Sequence, residues 1–174
     1  KTLRALVAKH PTLAEGWVGL AHIARADHDR AEALACFEKA ARLRPGDPNL
    51  LTACAEELGE LGQTGRAVAI YDRLIAAYPN NVTPRAEKAR MLQLAGDFAA
   101  AEVEFRAALA LAPQDGQLYR IFLATKKLTA EDPLIADMER LWAKADLPLR
   151  SRVHLGFALA KAMEDSGQHD RVFT

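Results

Sequence analysis

The sequence predicts an all-α chain, a right-handed superhelical solenoid of antiparallel helix pairs, and three observations carry that prediction. A shift of about 34 residues brings Pro11, Pro45, Pro79 and Pro113 into one column. The same shift aligns Ala33 with Ala67 and Ala101, Phe37 with Tyr71 and Phe105, and Ala21 with Ala55 and Ala89. Between the prolines, apolar residues recur as Trp17, Leu20, Ala21 and Ala24 do, at i, i+3, i+4 and i+7, which is one face of a helix. One hairpin cannot bury such a face alone, so neighbouring pairs must stack.

Taken in order, residues 1–12 read as the second helix of a truncated repeat, because Pro11 lies in the proline column. The first full repeat, 14–47, holds a helix over about Leu13 to Ala26 and a second over Arg30 to Leu43, with Asp29 as N-cap. Trp17 is expected to be buried between repeats. The second repeat, 48–81, opens with Pro48 at a first helical position, turns at Gly62 and resumes from Thr64 to Ala77. The third, 82–115, runs from about Thr83 to Ala95 with Pro84 in its first turn, then from Phe98 to Leu111. Proline lacks an N–H and biases its predecessor away from the helix, so Arg44, Tyr78 and Ala112 should close the second helices.

After Pro113 the register breaks. Residues 116–147 read as atypical helices: one through Leu118, Tyr119, Phe122 and Leu123, then one from Pro133 to about Ala145 capped by Asp132. Residues 148–174 read as the start of a further truncated repeat, with a helix from Leu149 to about Ser166, a turn at Gly167 and another helix beginning near Asp170. The array is read as one domain, continuing in a longer protein at both ends.

Trp17, Leu20, Ala21, Ala33, Phe37, Ala40 and Pro45 stand where the tetratricopeptide (TPR) family places its signature residues, and the resemblance covers about three repeats. It implies a protein- or peptide-binding scaffold whose concave face is lined by the first helix of each repeat. Some members grip a chaperone's C-terminal carboxylate with a Lys, Asn, Asn, Lys, Arg clamp; Val18, His22, Ala53, Thr83 and Glu87 stand at those positions, so the clamp is absent here. A second resemblance lies in Asp132-Pro133, Phe157 to Ala162, Glu164-Asp165, Gly167, Asp170-Arg171 and Phe173. This stretch is similar to the segment that joins repeats to the catalytic domain in bacterial TPR-containing sulfotransferases. The implied parent would use phosphoadenosine phosphosulfate in a downstream domain, with these repeats serving acceptor recognition or dimerisation.

The residues themselves offer little chemistry. The 23 Lys and Arg balance 23 Asp and Glu, which argues against nucleic-acid and anionic-membrane binding, since both call for concentrated basic charge. No stretch has the roughly 18 uninterrupted apolar residues of a membrane span. Cys36 and Cys54 lie on apolar stripes and read as buried, reduced thiols of a cytoplasmic protein. The glycines are scattered rather than gathered in a phosphate loop, and no two histidines share the spacing of a helical metal pair. Hence no catalytic residue, cofactor or metal is expected. Glu56, Glu57 and Glu60 read as a solvated helix face, and Lys126, Lys127, Arg150 and Arg152 as solvated linker charges.

The candidate binding face comprises Glu15, His22 and Arg25 in the first repeat and Asn49, Thr52, Glu56 and Glu60 in the second. Thr83, Glu87, Arg90 and Gln93 continue it in the third, and Gln117 and Arg120 follow. Glu56 and Arg90 share one position in successive repeats, with Arg25 a turn away, so this row is expected to neutralise itself in part. Its occupant would be a protein or peptide; a homodimer is the other partner class, and an ordinary solvated surface is the bland alternative.

Overall fold

The computed structural model describes residues 2–168, whose regular structure is all helical, with no strand among them. The chain divides into two compact units, Lys1–Pro79 and Asn80–Thr174. The helix expected near Asp170, with Arg171 and Phe173, lies outside the described residues.

The N-terminal unit contains α1 (Thr2–Lys9), α2 (Ala14–Ala26), α3 (Arg30–Leu43), α4 (Pro48–Glu60) and α5 (Thr64–Ala77). Its starts follow the local chemistry: Asp29 accepts from Glu32 N, and Asp47 accepts from Asn49 N with Pro48 just inside the helix. Arg44 and Tyr78 are C-caps, each one residue before a column proline. Ala33, Ala40, Ala55 and Ala67 have no exposed surface, so backbones approach closely where the small column runs, while Phe37 and Tyr71 fill the space beside them. His28 has φ +60 where the equivalent turns use Gly62 and Gly96, so a side chain is carried in the left-handed region at that turn. Trp17 departs from expectation. It is only half-buried; its indole N–H donates to Pro11 O at 2.8 Å, and Lys39 Nζ lies over its ring at 4.1 Å from the centroid.

The C-terminal unit contains α6 (Val82–Leu94), α7 (Phe98–Leu111), α8 (Gly116–Leu123), α9 (Pro133–Trp142) and α10 (Leu149–Asp165). Asn81, Asp97, Asp115 and Asp132 cap the first four through side-chain oxygens, and Ala112 closes α7. The core joins Phe105, Ala108, Phe122, Leu123, Met138 and Leu155, and Phe105 stacks on Phe122 with centroids 5.2 Å apart.

The register break resolves into a particular packing: α8 lies closely against α10, although α9 intervenes in sequence. Gly116 makes this approach possible. Its N–H donates to Ser151 Oγ at 2.6 Å, and Ser151 Oγ in turn donates to Gln114 O at 2.5 Å. A Cβ on Gly116 would overlap the Ser151 carbonyl oxygen and lie 3.0 Å from Leu155 N, both backbone atoms that cannot swing aside. Gly116→Ala is therefore expected to cost about 1–3 kcal/mol by forcing α8 and α10 apart. Denaturant melts of the variant check this, and wild-type stability would show that the two helices are less tightly joined.

Candidate peptide-binding face

In the N-terminal unit, the buried stripe of α4 sets the geometry. Leu50, Cys54, Glu57 and Leu58 fall at i, i+4, i+7 and i+8, so Glu57 is carried inward with its apolar neighbours and is fully buried. This corrects the reading of Glu57 as part of a solvated face, while Glu60 is exposed and Glu56 half-buried. A buried carboxylate needs compensating donors, and two arginines supply them: Arg25 Nε donates to Glu57 Oε1 at 2.5 Å, and Arg30 Nη1 donates to Oε2 at 3.2 Å. Arg25 also donates through Nη2 to Glu56 Oε2 at 3.2 Å, joining α2 to α4 on the predicted face. Its guanidinium lies 5.0 Å from the Phe37 centroid, and exposed His22 meets the same ring edge-on at 5.5 Å.

The remaining predicted residues of this unit are less connected. Glu60 stands 3.9 Å from Arg30, and Glu15 pairs with Arg44. Thr52 is half-buried and Asn49 is exposed in the first turn of α4. The Cys54 thiol is pushed up to about 11, by burial first and then by the Glu38 carboxylate; burial likewise raises the Cys36 thiol. Both are thus protonated at neutral pH and poor nucleophiles.

In the C-terminal unit, Arg90 Nε donates to Glu87 Oε2 at 2.9 Å on the same helix, so Arg90 is neutralised by its own turn. Gln93 is committed elsewhere. Its amide donates to Ile121 O and Phe122 O at 3.3 Å and to Thr125 Oγ1 at 2.8 Å, tying off the last carbonyls of α8. Thr83 is exposed at the start of α6. Arg120 Nη1 lies 3.0 Å from His154 Nδ1, and Arg150 Nη2 donates to Gln117 Oε1 at 3.5 Å.

Two supposed linker charges have structural partners instead. Lys126 Nζ donates to Glu102 Oε1 at 2.5 Å and lies 3.9 Å from Asp132. That bond, aided by Arg106, holds the Glu102 carboxyl below its ordinary range against the opposing effect of burial. The signal was available, because Lys126 continues the column of Ala24, Leu58 and Leu92, where a charge must find a partner. Arg152 donates to Trp142 O at 3.0 Å and Lys144 O at 2.5 Å, capping the end of α9. Lys127 is exposed between helices, as the linker reading has it, whereas Arg150 is exposed in the first turn of α10. Among the described residues, no three His, Cys, Asp or Glu side chains converge as metal ligands, and no helix is long and apolar enough to cross a membrane.

Comparison with known proteins gives the family of one repeat and the fold of the whole. Residues 14–47 match the tetratricopeptide repeat family. No curated protein matches the chain. Among solved structures, MamA 41-end from Desulfovibrio magneticus RS-1 is 23% identical with a TM-score of 0.64, over 92% of this chain and 90% of that one. PilW, described as a type IV pilus biogenesis factor, is 21% identical with a TM-score of 0.66, over 98% and 79%. YrrB, described as a TPR protein with an unusual peptide-binding site, is 17% identical with a TM-score of 0.60, over 97% and 76%. The chain thus carries a tetratricopeptide repeat at residues 14–47 and shares the all-helical fold of these proteins.

Proposed function

We propose that the chain is a non-catalytic scaffold whose first-helix faces bind a protein or peptide segment. The observation that supports this most is the cluster of Arg25 and Glu56 with Glu57. A buried carboxylate fixes Arg25 from behind, so that part of the binding face is polar and already ordered before any partner arrives. YrrB, similar in fold, is described as having a peptide-binding site, which supports the same class of activity here.

The test is to pan a random peptide library on the immobilised chain and to measure the recovered peptides against the Glu56→Lys, Glu87→Lys double variant. Both carboxylates are partly exposed, with ion pairs that contribute only about 0–1 kcal/mol, so the melting temperature should barely move. Affinity should fall about tenfold or more, with an altered salt dependence. Recovered peptides that bind the double variant unchanged at low and high salt would place recognition elsewhere.

A second proposal, that the parent is a sulfotransferase using phosphoadenosine phosphosulfate, rests on the sequence resemblance of residues 132–173 alone. A strand-loop-helix phosphate site encoded beyond Thr174 would support it, and further helix pairs there would remove it. Dimerisation through these repeats is tested by sedimentation equilibrium.

A further inference from the structure

The described arginines of the C-terminal unit fall into two groups. Arg85 pairs with Glu104 at 3.2 Å, Arg90 with Glu87 at 2.9 Å, Arg106 with Glu102 at 2.8 Å and Arg140 with Asp137, while Arg152 occupies two carbonyls. Arg120 and Arg150 are different. Both are exposed, with neither a carboxylate partner nor a helix end to cap: Arg120 meets His154, and Arg150 meets Gln117 at the long distance of 3.5 Å. A guanidinium has no acceptor, so any hydrogen bond between the two runs from Arg120 to His154 Nδ1. His154 therefore brings no compensating negative charge to Arg120.

The apolar component lies beside these cations. Phe157 is 63% exposed on α10, and the Arg120 guanidinium stands 5.4 Å from its ring centroid. Gln117, Arg150 and His154 line a cavity of about 410 Å³, and His154 is also the residue that meets Arg120. The acid on that lining, Asp115, is already engaged as the N-cap of α8, accepting from Gln117 N at 2.9 Å.

We propose that the joint face of α8 and α10 is a docking site for an acidic peptide segment, whose carboxylates pair with Arg120 and Arg150 while an apolar side chain packs on Phe157. Charge complementarity selects this occupant. Two unmatched guanidinium groups, each able to present a fork of donors, suit carboxylates a few residues apart. A nucleic acid would call for a broad basic stripe, whereas Arg85, Arg90, Arg106 and Arg140 of this unit are already paired with carboxylates and Arg152 is held by two carbonyls. The proposal rests on the scaffold reading above and adds the chemistry of the partner.

The experiment is fluorescence polarisation of the full chain with two labelled peptides, Glu-Asp-Leu-Glu-Asp-Phe-Glu and a version with Lys at every acidic position. The acidic peptide should bind at low salt and the basic one should not. Affinity for the acidic peptide should fall about tenfold in Arg120→Gln, Arg150→Gln and again on raising salt. Phe157→Ser should weaken it independently, and circular dichroism should show all variants folded. The proposal is overturned by no binding of the acidic peptide, by equal binding of the basic one, or by unchanged affinity in the arginine variant. Tight binding of a single-stranded oligonucleotide that the acidic peptide cannot displace would overturn it too. Failure here with successful recovery of other peptides in the library panning removes only the acidic preference. Failure of both removes the scaffold reading as well.

Discussion

Replacing Arg25 and Arg30 together by alanine is expected to destabilise the N-terminal unit by about 3–5 kcal/mol, the range for leaving a buried charge without its partner. Glu57 has no exposed surface, and these two guanidinium groups are the donors placed against its carboxylate. Either arginine alone leaves the other in place, so each single variant should cost less than half as much. Glu57→Met should also be milder: its removal frees two arginines that keep about a third of their side-chain surface in water and can turn outward. The two tryptophans make the measurement local, since Trp17 belongs to the N-terminal unit and Trp142 to the C-terminal one. In a Trp142→Phe background, urea unfolding followed by Trp17 fluorescence should show the loss. A double variant within about 1 kcal/mol of the parent would show that the buried carboxylate finds other donors.

Phe105→Ala is expected to cost the C-terminal unit about 3–5 kcal/mol through lost burial and the cavity left behind. Phe105 has no exposed surface and stacks on Phe122, so α7 and α8 both lose a wall. Phe122 is also the ring over which Arg106 and Lys126 lie, at 5.8 and 5.5 Å from its centroid, so the charged cover is loosened as well. Trp142 fluorescence in a Trp17→Phe background should report this change. A smaller cost, near that of Phe105→Leu, would indicate that the core collapses into the space.

The helices through Leu111 were legible because their spacing repeats: alanine, aromatic and proline columns each place a residue, and the capping aspartates mark the starts. What escaped was decided by which way a charged side chain turns. Glu57 stands among Glu56 and Glu60 and reads with them as solvated, although its distance from Leu50 and Cys54 puts it on their stripe. Lys126 and Arg152 looked like linker charges because their partners, Glu102 and the end of α9, are distant in sequence or lie past the break in register. The α8 to α10 packing left only a faint trace, the small residue Gly116 at the head of a short helix. As for the binding face, sequence alone could list Gln93 there but could not show that its amide is tied to the carbonyls of α8.

The close seat of α8 on α10 also bears on the order in which the chain acquires structure. In the N-terminal unit each helix finds a partner next to it in sequence, so ordering needs only short loops to close. The eight residues of α8 meet α7 through Phe105 and Phe122, but their more extensive partner is a segment that begins with Leu149, after α9 has been made. During synthesis, Leu118, Phe122 and Leu123 leave the ribosome well before Leu155 and Ala158 do, and until then part of their apolar surface has no cover. That interval is the period in which the nascent chain is most open to holding by a chaperone, and the C-terminal unit the later of the two to mature.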